Sequence, residues 1–538
     1  MSRFFITIDR IRVSLLQAWA SVFAAYKEFN YRSHRILRFT VAAVLIAYFL
    51  FCGIFLSLRY VILPNVGVYK SDIERISSHF IGKLITVDQI DASWIGLHPR
   101  LQLKGVVVYG DGDEAALTLP EVDATLSWMS LVTGQLRLEA LEILQPDLEI
   151  LRDETGQIFI AGIALNTSQT EDEHGLDWLL TQKQISILNG SLRWEDKLRE
   201  APLLELKDVN FVLRNNWFSH QFSIKATPPS HLAAPIDVRA HFSHPAFTAK
   251  ISDYKKWKGE IYLDWRNTRL DDWKKYIDYP FPVEGGEGSV RAWLNFDRAV
   301  VSNFTADVAL KDLTVQLAKN LAPLKLVEVS GQISAGEAAV GLKDRIFSFG
   351  QHGHALKLTN FSLRTDQGTV LPATTVNSIY TAGSASKLER HEFSVVALDL
   401  DTLAQLARHL PLGEKEKQIL EEFRPHGLLN DFLIRWEGEQ LGTANYEIKG
   451  KFSALALKGV KKSPSSNSKE LKEFIPEFEG LSGEVSADQS GGKLNVQGDH
   501  AKISLLNLFS NPDFKFDQLD LRSSWSFKNR EHININIS

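Results

Sequence analysis

Apolar and polar residues alternate along most of this chain. The segments QLRLE, EIYLDW and KLNVQ each carry two or three apolar side chains at every second position, among them Leu136, Leu138, Leu494 and Val496. Successive side chains of a β-strand point to opposite faces, so this pattern predicts strands with one apolar and one polar face. Many such runs at fairly even spacing indicate an antiparallel sheet.

Short glycine-containing stretches separate the alternating runs and predict turns. These turns are expected at residues 111–113 (DGD), 189–191 (NGS), 285–288 (GGEG) and 491–492 (GG). Related sequences recur in ILNGSLRW, VSGQISA and LSGEVSA, in which Gly190, Gly331 and Gly483 take the same place. Such repetition favours β-units stacked into one elongated sheet over a compact domain.

One segment near the N-terminus breaks the alternation with an uninterrupted apolar run. Residues 39–58 (FTVAAVLIAYFLFCGIFLSL) contain no charged residue. At 1.5 Å per residue they span about 30 Å, the thickness of a bilayer's hydrocarbon core. A buried globular helix of this length would normally carry a polar face, and a cleaved signal peptide would be shorter. The run therefore predicts a transmembrane signal anchor over residues 39–60.

Charge predicts the orientation of this anchor. Residues 1–38 hold seven Arg or Lys residues against two acidic ones, whereas the whole chain carries a formal net charge of -5. The positive-inside rule places this basic arm in the cytoplasm and the chain after residue 60 across the membrane. A short helix over residues 61–82 is expected next, because Ser71 to Glu74 match a capping box. Further helices are expected at 269–277 and at 399–423, the latter broken at Pro411.

Composition and motifs exclude several classes of function. The chain has a single cysteine, Cys52 inside the apolar run, which rules out a disulfide framework or a zinc ribbon. Its sequence pI near 6.3 gives no sign of a nucleic-acid binder. Motifs typical of hydrolases, metalloproteases and nucleotide binders are missing, and His352 and His354 are interpreted as a surface pair without a third ligand. We expect neither an enzyme nor a cofactor or metal site.

Two long stretches of the sequence resemble the AsmA-like envelope proteins, specifically the YhdP group. Residues 85–108 and 117–156 are similar to the opening of that group, including Ser130-Leu131, Gly134 and a Pro-Asp-Leu before a charged turn. Residues 424–436 (RPHGLLNDFLIRW) resemble its later Pro-x-Gly segment. Members of the group usually exceed a thousand residues, so the chain is expected to be a fragment that lacks a C-terminal part.

The resemblance implies a mainly β fold: a transmembrane helix followed by an elongated, twisted antiparallel β-sheet groove of repeating units with a few short helices. The expected divisions are a cytoplasmic arm 1–38, the anchor 39–60, a periplasmic helix 61–82, first groove units 83–300 and further units 301–538. Such a protein would sit in the bacterial inner membrane with its bulk in the periplasm. Outer-membrane or periplasmic proteins are candidate partners through the missing part.

The function that the resemblance implies is the shielding or transport of phospholipid between inner and outer membrane, which maintains the outer-membrane barrier. Physical chemistry agrees, because an apolar trough spares acyl chains a cost of about 0.8 kcal/mol per exposed methylene. Leu136, Leu138, Leu494 and Val496 are the residues expected to line the groove. The alternative is a non-conducting scaffold or regulator of envelope assembly, whose apolar face would be filled by its own helices.

Overall fold

A computed structural model shows one long, open, twisted β-sheet of 24 strands behind an apolar helix. Apart from a few isolated positions near the N-terminus, the structure describes thirteen stretches. They are residues 36–81, 83–110, 115–160, 163–165, 174–248, 250–336, 353–383, 388–412, 414–438, 445–458, 476–505, 513–529 and 532–538. The expected basic arm, the turn at 111–113 and His352 therefore lie wholly or largely outside the described residues.

The predicted anchor is the start of one long helical segment, Ile36–Ser78, which is long and apolar enough to cross a membrane. It consists of helix α1 (residues 36–57), a π-helical turn at Leu58–Ile62, a 3₁₀ segment at Leu63–Tyr69 and most of helix α2 (Lys70–Ile81). The expected capping box does not start a new helix, because Lys70 already has helical backbone angles. Ser71 thus lies inside a helical segment that has already begun, although that segment is kinked at Asn65, whose φ is -112° and ψ 24°.

The first nine strands begin the sheet and contain its few parallel pairs. They are β1 (Ile85–Ile95), β2 (His98–Tyr109), β3 (Ala115–Leu126), β4 (Leu138–Leu144), β5 (Asp147–Arg152), β6 (Ile158–Ile160), β7 (Ile163–Leu165), β8 (Gln184–Asp196) and β9 (Leu204–Asn216). Strands β1 to β4 form an antiparallel meander, and β8 then pairs in parallel with both β4 and β5. Alternation alone predicted only antiparallel pairing.

From β8 onward each strand pairs antiparallel with the next one in the chain, through to β24. The remaining strands are β10 (Ser219–Thr227), β11 (Ile236–Ser243), β12 (Lys258–Arg269), β13 (Val283–Asp297), β14 (Val300–Val315), β15 (Leu324–Gly336), β16 (Gly353–Thr365), β17 (Val370–Thr381), β18 (Arg390–Asp399), β19 (His426–Glu437), β20 (Tyr446–Leu457), β21 (Glu477–Asp488), β22 (Gly491–Ser504), β23 (Asp513–Asn529) and β24 (His532–Ile537). The expected division at residue 300 falls at the start of β14, within this meander.

Two of the predicted turns are instead irregularities inside strands. Residues 189–191 lie within β8, where Asn189 has a φ of 53° and the pairing register with β9 shifts. Residues 285–288 lie within β13, and Gly285 and Gly286 have positive φ. An extra residue in a left-handed conformation bends a strand without ending it, and glycine and asparagine tolerate that conformation best.

Short α-helices interrupt the strands. In the part of the chain that the structure describes they are α3 (Met129–Thr133), α4 (His174–Thr181), α5 (Leu270–Trp273), α6 (Leu400–Leu406) and α7 (Glu414–Phe423). The prediction of helix at 399–423 is confirmed by α6 and α7, with the break after α6 near Pro411, whereas the helix predicted at 269–277 is limited to the four residues of α5. Asp399 caps α6, because its carboxylate accepts hydrogen bonds from the backbone N–H groups of Asp401 and Thr402.

Candidate functional site

The pairing register joins one apolar side chain from each of sixteen strands, β1 to β4 and β8 to β19, into a continuous line across the sheet. We call this line the apolar row. It consists of Ile90, Leu103, Val122, Ile143, Ile187, Phe211, Ile224, Val238, Leu263, Ala292, Ala306, Ile333, Leu358, Val376, Val395 and Phe432, each paired with the next. Directly paired residues share a face, so these side chains form an unbroken apolar stripe.

Beyond Phe432 the apolar row continues through a glycine, which leaves room for the Phe432 ring. The next position is Gly450, where an added Cβ would meet the Phe432 ring at 2.5 Å. Gly450 pairs with Val485, and Val485 with Leu494. A polar residue, Ser523, follows on β23. The apolar stripe therefore runs from the first strand to β22.

The opposite face of the sheet is polar, and side chains at its centre hydrogen-bond to one another across neighbouring strands. At the centre, Gln332 donates to the carboxylate of Asp307 at 2.9 Å, and Thr305 donates to Ser334 at 3.1 Å. These residues alternate with Ala306 and Ile333 of the apolar row. Because a shift of one residue would exchange the two faces, these polar pairs help to hold the register that keeps the row continuous.

Helices cover the apolar face at one end of the strands. In the central core cluster, Leu270 of α5 and Leu406 of α6 pack with Leu324, Leu371 and other buried residues near that end. Trp273 of α5 packs with the neighbouring cluster around Leu204. The expectation of a face filled by helices therefore holds at this end, which we call the helix-covered end.

Towards the other end of the strands the same face is only half-buried. A second line of directly paired residues runs there beside the apolar row. It consists of Leu294, Phe304, Ala335, Leu356, Ser378, Phe393, Ile434 and Ile448, all of intermediate exposure. Ser378 is the one polar member of this line. The other side chains are apolar and remain accessible to a ligand.

The four residues expected to line a groove occupy different environments. Leu494 is half-buried on the apolar row, and Val496 lies on the same face, 5% exposed, among Phe452, Leu481 and Ala501. Leu138 is the first residue of β4, is 5% exposed, and donates its backbone N–H to Gln182. Leu136 precedes the strand, and its carbonyl accepts from the Trp178 indole of α4. The QLRLE strand thus begins two residues later than its alternation predicted.

A line of aromatic and histidine rings on this face was not predicted. His354, Tyr380, His391 and Trp436 are paired in turn on four successive strands, and the His391 and Trp436 rings stack at 4.5 Å. Burial, and then the nearby His391, lower the pKa of His354. Instead of belonging to a surface pair, His354 is half-buried at the boundary between the apolar face and the strand ends. Sequence spacing carried no signal, because strand pairing brings these positions together.

The long apolar helix is docked against the first strands by rings and hydrogen bonds. The Phe55 ring lies 5.0 Å from that of Trp94 on β1, and the Phe51 ring 4.9 Å from that of Trp128. Further along, Val66 and Ile73 pack on the apolar face of β1 to β3. Glu74 and Ser78 accept hydrogen bonds from backbone N–H groups at the start of β1. The apolar row therefore begins directly beneath the extension of the anchor.

Together these features define a protein with an apolar N-terminal helix long enough to cross a membrane and an open sheet that has one continuous apolar face. Among the described residues, no group of three or more His, Cys, Asp or Glu side chains is placed to hold a metal. The family model described as YhdP protein matches residues 29–538, so this chain belongs to the YhdP family. Neither the curated proteins nor the solved structures contain a match to it.

Proposed function

We propose that the apolar face shields phospholipid acyl chains and lets them pass along the sheet, between the membrane in which the helix is anchored and the far end of the sheet. The observation behind this proposal is the apolar row, which links Ile90 beside the anchor to Phe432 without a polar member. Many members of this row also form the folded core, but the line beside it from Leu294 to Ile448 is only half-buried and so remains accessible to a ligand. Membership of the YhdP family, an AsmA-like envelope family, supports the same reading.

The proposal includes a cellular location. The chain after residue 60 lies in the periplasm, because the arm before the anchor carries seven Lys or Arg residues and basic flanks stay in the cytoplasm. The inner membrane is then the lipid source or acceptor nearest to β1. The outer membrane is the other end of the route, and its barrier depends on that supply.

Energetics favour a face that is half-buried rather than sealed. Each methylene that stays out of water gains about 0.8 kcal/mol, so two acyl chains gain tens of kcal/mol on a continuous apolar surface. Any polar gap would act as a barrier. The ring line at Tyr380, His391 and Trp436 would lie where chains give way to headgroups, since such rings suit a boundary between apolar and wet surroundings.

Crosslinking in cells tests this proposal directly. A photoreactive amino acid is placed at Leu356 or Leu494 on the apolar face, and at Lys357 or Lys493 on the opposite face. Neighbouring positions point to opposite faces, so each lysine is a matched control. We expect phospholipid adducts at the two leucines alone. Equal adducts on both faces, or none on either, would contradict a lipid path.

A charge on the same face tests whether lipid moves along it. Leu356→Glu places a carboxylate on the half-buried line, where water can still reach it, and Lys357→Glu places the same group on the polar face. We expect Leu356→Glu to abolish complementation of a deletion strain's outer-membrane defect while the protease-resistant fragments stay unchanged. Full complementation by Leu356→Glu would instead favour a scaffold that needs the sheet but not its apolar face.

A further inference from the structure

Exposed apolar side chains surround the point where the sheet meets the membrane helix. They come from two elements: the hairpin turn between β1 and β2, and helix α3 after β3. We call them the apolar foot, which consists of Ile95 (49% exposed), Leu97 (62%), Met129 (46%), Leu131 (58%) and Val132 (78%). Scattered exposed apolar residues are common, but a group this exposed and this contiguous with an anchor needs a binding partner.

The two segments that carry the apolar foot have no acidic side chains. Neither residues 94–98 (WIGLH) nor residues 128–134 (WMSLVTG) contain a carboxylate. A cation lies close by at the anchor itself, where the Arg59 guanidinium is 5.4 Å from the centre of the Trp94 ring. Tryptophan next to arginine, with apolar side chains beyond, is typical of a segment at the boundary of a bilayer.

Contacts with the helix fix the depth of the foot. The Trp128 ring, which directly precedes Met129, lies 4.9 Å from the ring of Phe51. Phe51 is seven residues before Leu58, the last residue of the apolar run, which is about 10 Å along a helix axis. If the run crosses the hydrocarbon core, Trp128 lies at or below its outer boundary. The foot then cannot be surrounded by bulk water.

The foot is held rigidly at this depth. The two-residue turn of the hairpin consists of Gly96, with a φ of 59°, and Leu97, which the pairing of Ile95 with His98 leaves at the tip of the turn. The Trp128 indole donates a hydrogen bond to the Leu97 carbonyl at 3.1 Å, which ties α3 to the hairpin. Both elements therefore move with the membrane helix as one unit.

We infer that the apolar foot inserts into the bilayer leaflet on the side of the sheet, with Leu97, Leu131 and Val132 among the acyl chains just below the headgroups. The occupant of this surface is the lipid bilayer, since the foot is continuous with the membrane-spanning helix. Ile90, the first member of the apolar row, lies four residues from Trp94, or about 13 Å along the strand. The foot therefore seats the start of the row at the membrane surface.

Lipid quenching of single-site labels tests this inference. Cys52 is replaced by serine in the full chain, and a single cysteine at Leu97 or Val132 is labelled with an environment-sensitive fluorophore. Controls carry the label at Val370 or Val396, which are 51% and 53% exposed on later strands. The labelled proteins are reconstituted in phosphatidylcholine vesicles that carry a nitroxide either near the headgroup or near the chain end.

We expect both foot labels to show blue-shifted emission and a loss of fluorescence with the headgroup-proximal nitroxide, whereas neither control responds. Emission as in water at the foot would overturn the inference. So would a blue shift without nitroxide quenching, which would mean that a second copy or another protein covers the foot. The outcome is independent of lipid transport, because a scaffold anchored in the same way would give the same quenching.

Discussion

Acidification should loosen the sheet around a buried histidine. His220 on β10 is fully buried, its ring stacks on Phe242 at 5.0 Å, and its Nδ1–H donates to the Asn215 side chain at 2.7 Å. Its Nε2 is buried without a hydrogen-bond partner among the described residues, and the His244 ring lies 5.2 Å away. Burial, and then His244, lower the pKa of His220 from 6.5 to about 4. The folded sheet thus holds this ring neutral.

The size of the effect follows from linkage. The unfolded chain binds a proton near pH 6.5 and the folded chain only near pH 4, so the stabilisation is complete above 6.5 and is lost as pH falls towards 4. At about pH 5 the loss is about 2 kcal/mol, which corresponds to roughly 30-fold in the opening equilibrium. Protonation would also place a charge against apolar rings.

Hydrogen exchange of the full chain measures this loss of stability in β10, the strand that carries His220. Amide protection in β10 is compared at about pH 7.5 and about pH 5 after correction for intrinsic exchange, because opening in a long sheet is local. His220→Phe keeps the ring stack and removes the titrating group, and His231→Gln, at an exposed position, is the matched control. Only the His220 variant should lose the acid sensitivity of β10. Unchanged protection of the parent protein in acid, or full acid sensitivity in His220→Phe, would refute the reasoning.

Three further substitutions probe packing, each read out by hydrogen exchange of the neighbouring strands. Val395→Ala should cost about 2 kcal/mol, since Val395 is 3% exposed in the central cluster. Gly483→Val should cost about 3 kcal/mol, because its Cβ would lie 2.0 Å from the carbonyl oxygen of Asn495, whereas Gly67→Ala meets nothing within 4 Å and should be neutral. Trp436→Ala should cost about 2 kcal/mol through loss of the stack on His391, and Trp436→Phe should recover part of it. Parent-like protection in a variant expected to be destabilised, or reduced protection in Gly67→Ala, would contradict the corresponding estimate.

The apolar helix, the β class and the short helices could be predicted from sequence, because each is determined by residues that are close together in the chain. Twenty uncharged residues define a membrane span whatever follows them. Alternation likewise defines a strand with two unlike faces. The leucine stripe of α6 and the helix break at Pro411 are also set by residues close together in the chain.

The candidate site could not be predicted in the same way, because it depends on pairing between distant strands. Nothing in the sequence joins His354 to Trp436, yet four successive strands bring their rings into one line. The buried hydrogen bond from Leu138 to Gln182 likewise joins β4 to a residue just after α4, more than forty positions later in the chain. Alternation identified the apolar face at Leu494 but not which of its positions remain accessible.

Irregularities within strands are the second reason why the candidate site could not be predicted from sequence. Deleting one of them tests whether it keeps the apolar side chains on one face of the sheet. In β16, Leu356 and Leu358 face the same side as Phe361 and Leu363, so the even positions give way to odd ones at Asn360. Asn360 has a φ of 47° and sits at a register shift against both neighbouring strands. It is therefore a bulge that resets the alternation.

Deleting Asn360 should move the side chains of one half of β16 to the opposite face of the sheet. Either Leu356 and Leu358 or Phe361 and Leu363 would move to the polar face. The latter two are both 8% exposed in the central cluster. Losing the burial of two such side chains costs about 5 kcal/mol, enough to abolish protection in β15 to β17. Asn360→Gly keeps the bulge and accepts a positive φ, so it should leave protection intact. A deletion without effect, or a glycine variant as damaging as the deletion, would show that the face is not set by this bulge.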